Sequence, residues 1–189
     1  MADRSSLRLS ATLVVIGEVL FAIVTLFHAD GPANNHPVVF AEYARSGDWI
    51  LVHLLQFVFM AVLLLGLLGL SFALNVRSGA LEWVARFAAV LPAVAIALYG
   101  VLQAVDGIAL KHAVVAWTNA PEAEKATRFA SAETMRWLEW GTSSYQTFMF
   151  ALALILLATV IVGTARVPRV IGFLMGWPPF PCLWKVGWS

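Results

Sequence analysis

Four long apolar stretches decide what this chain can fold into. They lie at about residues 9–27, 49–74, 84–114 and 142–165, and each approaches or exceeds the ~20 helical residues that cross a ~30 Å hydrocarbon layer. No backbone amide can stay unpaired in such a layer, so segments of this kind form helices. Composition points the same way. The 189 residues are 61% hydrophobic and 12% charged, with a mean hydropathy of +0.83, whereas a soluble domain averages about 45–50% and about 25%. The predicted fold is all-α: an integral-membrane four-helix bundle over residues 1–175 with short interfacial helices in its outer loops, then a Trp- and Pro-rich interfacial tail over residues 176–189.

The charges exclude some functions and suggest an orientation. A net charge of +1 offers no basic excess to neutralise phosphates, so a nucleic-acid partner is unsupported. The single Cys182 excludes an intrachain disulfide and a thiolate cluster. The basic start reads as a signal anchor or first span, since no small-residue cleavage site appears before His28. Arg4, Arg8, Arg77, Arg86, Arg166, Arg169 and Lys185 fall at ends that the positive-inside rule assigns to the cytoplasm. Lys111, Lys125, Arg128 and Arg136 oppose this from the other side, mixed with Glu122, Glu124, Glu133 and Glu139. The expected location is a bacterial inner membrane with both termini cytoplasmic.

Short helices and caps are expected between the spans. A helix over residues 38–45 carries Phe40 and Tyr43 toward the interface, Asp48 stands where it can cap the second span, and Pro121-Glu122 reads as a helix start. That last helix has the option of running through Gly141 into span four. Pro92 either kinks span three or is relieved by a neighbouring helix. Trp49, Trp83, Trp117, Trp137 and Trp140 read as interfacial anchors.

Polar residues inside the spans recur at helical spacing. Trp49, His53, Gln56 and Met60 share one face, as do Tyr99, Gln103 and Asp106. Glu139, Ser143 and Gln146, with Tyr145 alongside, repeat the pattern in span four, and Glu18, Thr25 and His28 do so in span one. At ~1.5 Å per residue most of these lie roughly 6–16 Å below the outer boundary, with Glu18 near the midplane. The layer predicts an outward-facing polar pocket of Glu18, His53, Gln56, Tyr99, Gln103, Asp106, Glu139, Tyr145 and Gln146, sealed below by aliphatic residues. A buried carboxylate costs at least ~2.5–3.5 kcal/mol, which argues for a His53–Asp106 pair with Glu18 beneath it. The bland reading of Gln56, Tyr99, Gln103 and Gln146 is hydrogen bonding between helices, worth about 0.6 kcal/mol each. His28, His36 and His112 read as solvated.

Such a pocket suits a small ligand or proton-linked chemistry, and whether it catalyses anything stays open. A metal would use His53 and Asp106; haem would need a second imidazole at matching depth, which His28 and His112 do not offer. The cofactor is therefore unknown, with haem or metal as a lesser alternative. Another alternative is a non-catalytic accessory subunit docked to a larger membrane complex, or a homo-oligomer, within the lipid bilayer. No zinc-protease, nucleotide-binding, nucleophile-elbow or dithiol motif is present.

The strings Val52-His53-Leu54-Leu55-Gln56, Val105-Asp106-Gly107-Ile108-Ala109-Leu110-Lys111 and Met135-Arg136-Trp137-Leu138-Glu139-Trp140-Gly141 resemble a broad group of uncharacterised bacterial multi-pass membrane proteins, over most of residues 10–175. The resemblance implies no activity and marks His53, Gln56, Asp106 and Glu139 as matching positions. That group continues past a Pro-Arg-x-x-Gly stretch into another span. Here Pro168-Arg169-Val170-Ile171-Gly172 leads to the tail instead, which reads as a truncated or altered reading frame or as an interfacial end of its own.

Overall fold

A computed structural model describes residues 4–29, 31, 32 and 34–177; most of the tail therefore lies outside the described residues. These residues are helical with no strand among them. The elements are α1 (Arg4–Thr25), α2 (His36–Arg45), α3 (Trp49–Leu74), α4 (Ala80–Gln103), a π-helical segment (Ala104–Leu110), α5 (Lys111–Thr118), α6 (Glu122–Thr164) and α7 (Arg169–Gly176). From α4 through the π segment to α5 the chain is one 39-residue rod. Four helices are long and apolar enough to cross a membrane: α1, α3, this rod and α6.

α3 keeps its expected bounds, α1 starts and ends a few residues earlier than expected, and the rod and α6 run past theirs. α6 extends for 43 residues without a break, about 65 Å at the rise of an α-helix, so Gly141 does not end it. The long helices pack mainly in chain order, α1 on α3, α3 on α4 and α4 on α6, while α3 and α6 meet only sparsely. The expectation that all four polar seams share one interior is thereby corrected.

Small residues set the closest packing. A Cβ on Gly17 would lie 2.5 Å from the Leu63 backbone nitrogen, and one on Gly66 would lie 2.8 Å from that of Val14. Such backbone approach, with Val14 and Phe21 packed on the core beside it, seats α1 on α3. Pro92 sits inside α4 without ending it. Proline has no N–H for the carbonyl four residues back, and the Ser71 hydroxyl of α3 shares its one proton between its own Leu67 carbonyl at 3.0 Å and that Ala88 carbonyl at 3.3 Å. This is relief by a neighbouring helix.

The end of the bundle near α2 holds a second apolar cluster. Val39, Phe40, Tyr43, Trp49, Leu110, Val114 and Ala132 are buried together, so Phe40, Tyr43 and Trp49 face inward and the anchor reading fails for them. Trp83 and Trp137 are exposed. α2 starts two residues earlier than expected because Asn35 accepts from the Val38 amide and Pro37 occupies the first turn. Lys111 then closes its other end, donating to the carbonyls of Tyr43 (2.6 Å), Ala44 (3.0 Å) and Ser46 (2.7 Å). The Asp48 carboxylate caps nothing on α3; it accepts from the Ser46 hydroxyl.

Candidate metal centre

His53 lies one turn into α3, so its ring reaches back to the helix's own first carbonyl. Nδ1 stands 2.7 Å from the Trp49 carbonyl oxygen, an acceptor only, and this contact places the ring proton on Nδ1. The lone pair or second proton is then at Nε2, which faces Asp106 Oδ2 at 3.1 Å. The His53 side chain is 2% exposed and that of Asp106 14%.

Asp106 belongs to the π segment. A π turn carries an extra residue, re-aims its side chains and recurs at functional sites. The indole Nε1 of Trp49 donates to the Asp106 carbonyl at 3.1 Å, tying that turn to the start of α3. Glycine follows at 107 for a steric reason, because a Cβ there would stand 2.7 Å from the His53 Cβ. The second carboxylate oxygen of Asp106, Oδ1, is buried with no hydrogen-bond partner.

His28 completes the group. Beyond α1, turn bonds from Leu26, Phe27 and His28 to the carbonyls three residues back tighten the helix end and swing the imidazole inward. Its ring centroid is 5.0 Å from those of His53 and Trp49 and 6.2 Å from that of Tyr43. The expectation of a solvated His28 is overturned. Burial first, then the neighbouring His53, push its pKa below the ordinary imidazole value, so it favours the neutral form. Burial likewise raises the Tyr43 phenol.

One ligand atom each from His28, His53 and Asp106 lie within 4.8 Å of one another. Tetrahedral ligands about 2.1 Å from an ion stand about 3.4 Å apart, which small side-chain rotations reach from here. His53 already meets the outer-shell requirement of a metal-binding imidazole, with its other nitrogen bonded to a carbonyl. A bis-imidazole haem is a poor fit, since rings 5.0 Å apart leave no space for a macrocycle between them.

The remaining predicted residues divide. Glu139 is buried and paired with Arg136 at 2.5 Å, within electrostatic reach of Asp106 and His53. The Arg136 guanidinium lies over the Trp140 and Tyr43 rings at 5.0 and 5.7 Å. Gln56 donates to the Thr25 hydroxyl at 3.2 Å, a link between α3 and α1. Tyr99 is buried edge-on against Phe21, 6.2 Å between centroids. Gln103 shares a lateral groove with His53, and Gln146 is buried with Nε2 unpartnered.

Glu18 and Tyr145 do not join the site. Both are exposed, and the face that α1 turns to α3 is Ser10, Gly17 and Val24. His36 is not solvated either; it meets Glu133 at 2.9 Å and stacks on Phe40. The residues that sequence reasoning missed are thus His28, Arg136 and His36. The repeat of His28 on the Glu18 stripe was a signal for the first, but its inward swing depends on the turn after α1.

Comparison of the chain with protein-family models, curated proteins and solved structures finds no match.

Proposed function

We propose that this chain is a multi-pass protein of the bacterial inner membrane, both termini cytoplasmic, that binds a divalent first-row transition metal through His28, His53 and Asp106. The observation that carries the reading is the convergence of two imidazoles and one carboxylate from three separate elements within 4.8 Å. Two histidines and a carboxylate are a donor set for zinc or ferrous iron, and three protein ligands leave a coordination position for a further ligand. A bare His53–Asp106 pair would give no reason for His28 beside it, nor for a buried carboxylate oxygen without a donor.

The test is metal content. Protein stripped with a chelator and returned to zinc is expected to hold one ion per chain by mass spectrometry. His28→Ala, His53→Ala and Asp106→Asn should each lose it while still inserting into the membrane. Glu18→Gln and Tyr145→Phe should retain it. Zinc retained in all three ligand variants, or absent from the wild-type chain, would remove the reading.

A further inference from the structure

Where α1 begins and α3 ends, a groove of about 510 Å³ opens between them, within the size range of ligand pockets. Four of its lining residues are polar: Ser6, Ser10, Asn75 and Arg77. Leu9 and Phe72, 62% and 68% exposed, carry its edge onto the outer apolar surface of the bundle. Ser10 is the informative member. Hydroxyls inside helices commonly donate to the carbonyl four residues back, as those of Thr25, Ser71 and Thr142 do here. Ser10 is 3% exposed, yet its hydroxyl makes no hydrogen bond among the described residues. Unlike the Gln103 oxygen, it is not closed to solvent. Glycine at 69 leaves that opening, since a Cβ there would stand 2.8 Å from the Ser10 Oγ.

Arg77 supplies charge at the mouth. Its Nε donates to Asn75 Oδ1 at 2.7 Å, which steadies the guanidinium, and its two terminal nitrogens donate to nothing among the described residues. The carbonyls that end α3 are answered by Arg166, which donates to those of Leu74 and Asn75. Arg4 and Arg8 stand in the first turns of α1 at the same end. Opposing them are Asp3, outside the described residues, and Glu82, already paired with Arg86 at 2.6 Å.

We propose that this groove holds the phosphate of an anionic phospholipid of the cytoplasmic leaflet, its oxygens accepting from the Ser10 hydroxyl and the Arg77 guanidinium and one acyl chain lying along Leu9 and Phe72. Donors without partners beside a cation call for an anion rich in acceptors, which a phosphate is. The apolar edge selects lipid over inorganic phosphate, which would gain nothing from Leu9 and Phe72. Basic pockets between spanning helices on the cytoplasmic side take anionic headgroups for the same reason. The proposal is independent of the metal reading and takes only the leaflet from the four-span topology.

The experiment adds lipid to the full chain in mild detergent and counts what is retained by native mass spectrometry. The probes are dioleoyl phosphatidylglycerol, dioleoyl phosphatidylcholine, whose choline cancels the phosphate charge, and dioleoylglycerol, which has no phosphate. A single phosphatidylglycerol should be retained, each of the other two about fivefold or more weakly, and excess inorganic phosphate should not displace it. Arg77→Gln should weaken retention about fivefold, the worth of one arginine near an anionic headgroup. Ser10→Ala should weaken it with an unchanged circular dichroism spectrum. Arg8→Gln removes the same charge from a side chain that does not line the groove, and it should retain the lipid. Equal losses in Arg8→Gln and Arg77→Gln would reduce the effect to a basic surface and overturn the proposal. So would equal retention of the three lipids, displacement by inorganic phosphate, or wild-type retention in both Ser10→Ala and Arg77→Gln.

Discussion

His53 shows how much one side chain owes to its immediate neighbours. Its Nδ1 is committed to the Trp49 carbonyl, its Cβ has room only because residue 107 is glycine, and the turn that presents Asp106 is held by the Trp49 indole. Trp49→Phe keeps an aromatic ring against His53 and Tyr43, whose centroids both lie 4.3 Å from that of Trp49, but removes the donor to the Asp106 carbonyl. Loss of an outer-shell partner costs metal sites about 10–100-fold in affinity. Zinc titration of the Trp49→Phe chain should show a Kd raised by that factor; an unchanged Kd would reduce Trp49 to packing. The residue scale also separates Glu18 from Gly17. One step along a helix turns a side chain by about 100°, which takes Glu18 off the face that packs on α3.

At the scale of elements, α2 is a lid joined to the bundle at both ends. His36 meets Glu133 of α6 at one end, and Lys111 gathers three carbonyls at the other. Hydrogen bonds from a charged donor are worth about 1.5–3 kcal/mol, so Lys111→Met should loosen α2 more than any change on its exposed face. Hydrogen exchange of the α2 amides is expected to quicken by about tenfold or more, with α3 and α4 unaffected; exchange as slow as in the wild type would show that apolar burial alone holds the helix. The polar seams on α3 and on α4 with its π segment were legible as seams because they follow helical periodicity. The seam on α1 does not face the bundle, because that helix docks through Ser10, Gly17 and Val24 and polar spacing carries no information about packing by small residues.

At the scale of the whole molecule, four helices are long and apolar enough to cross a membrane, and under the proposed four-span topology Arg4 and Arg169 lie on one side. Reporters at the N-terminus of the full chain and after residue 177 should both read as cytoplasmic. One cytoplasmic and one external reading would mean that one of the four does not cross. Arg4, Arg8, Arg77 and Arg166 collect at the end remote from the candidate centre, and Arg166 donates to the carbonyls of Leu74 and Asn75. Under that topology the proposed metal centre belongs to the opposite, external half of the bundle.

Length and apolarity of four segments, the polar periodicity of α3 and α4, and the His53–Asp106 partnership all followed from the order of residues, because the cost of unpaired amides and carboxylates in an apolar layer admits few solutions. Tertiary structure decided what periodicity cannot encode: the inward swing of His28 beyond the end of α1, the π turn that aims Asp106, the burial of Phe40, Tyr43 and Trp49, and the exclusion of Glu18 and Tyr145. These depend on which helix lies against which and how closely. Backbone approach at Gly17, Gly66 and Gly107 sets that distance through packing between segments far apart in the chain.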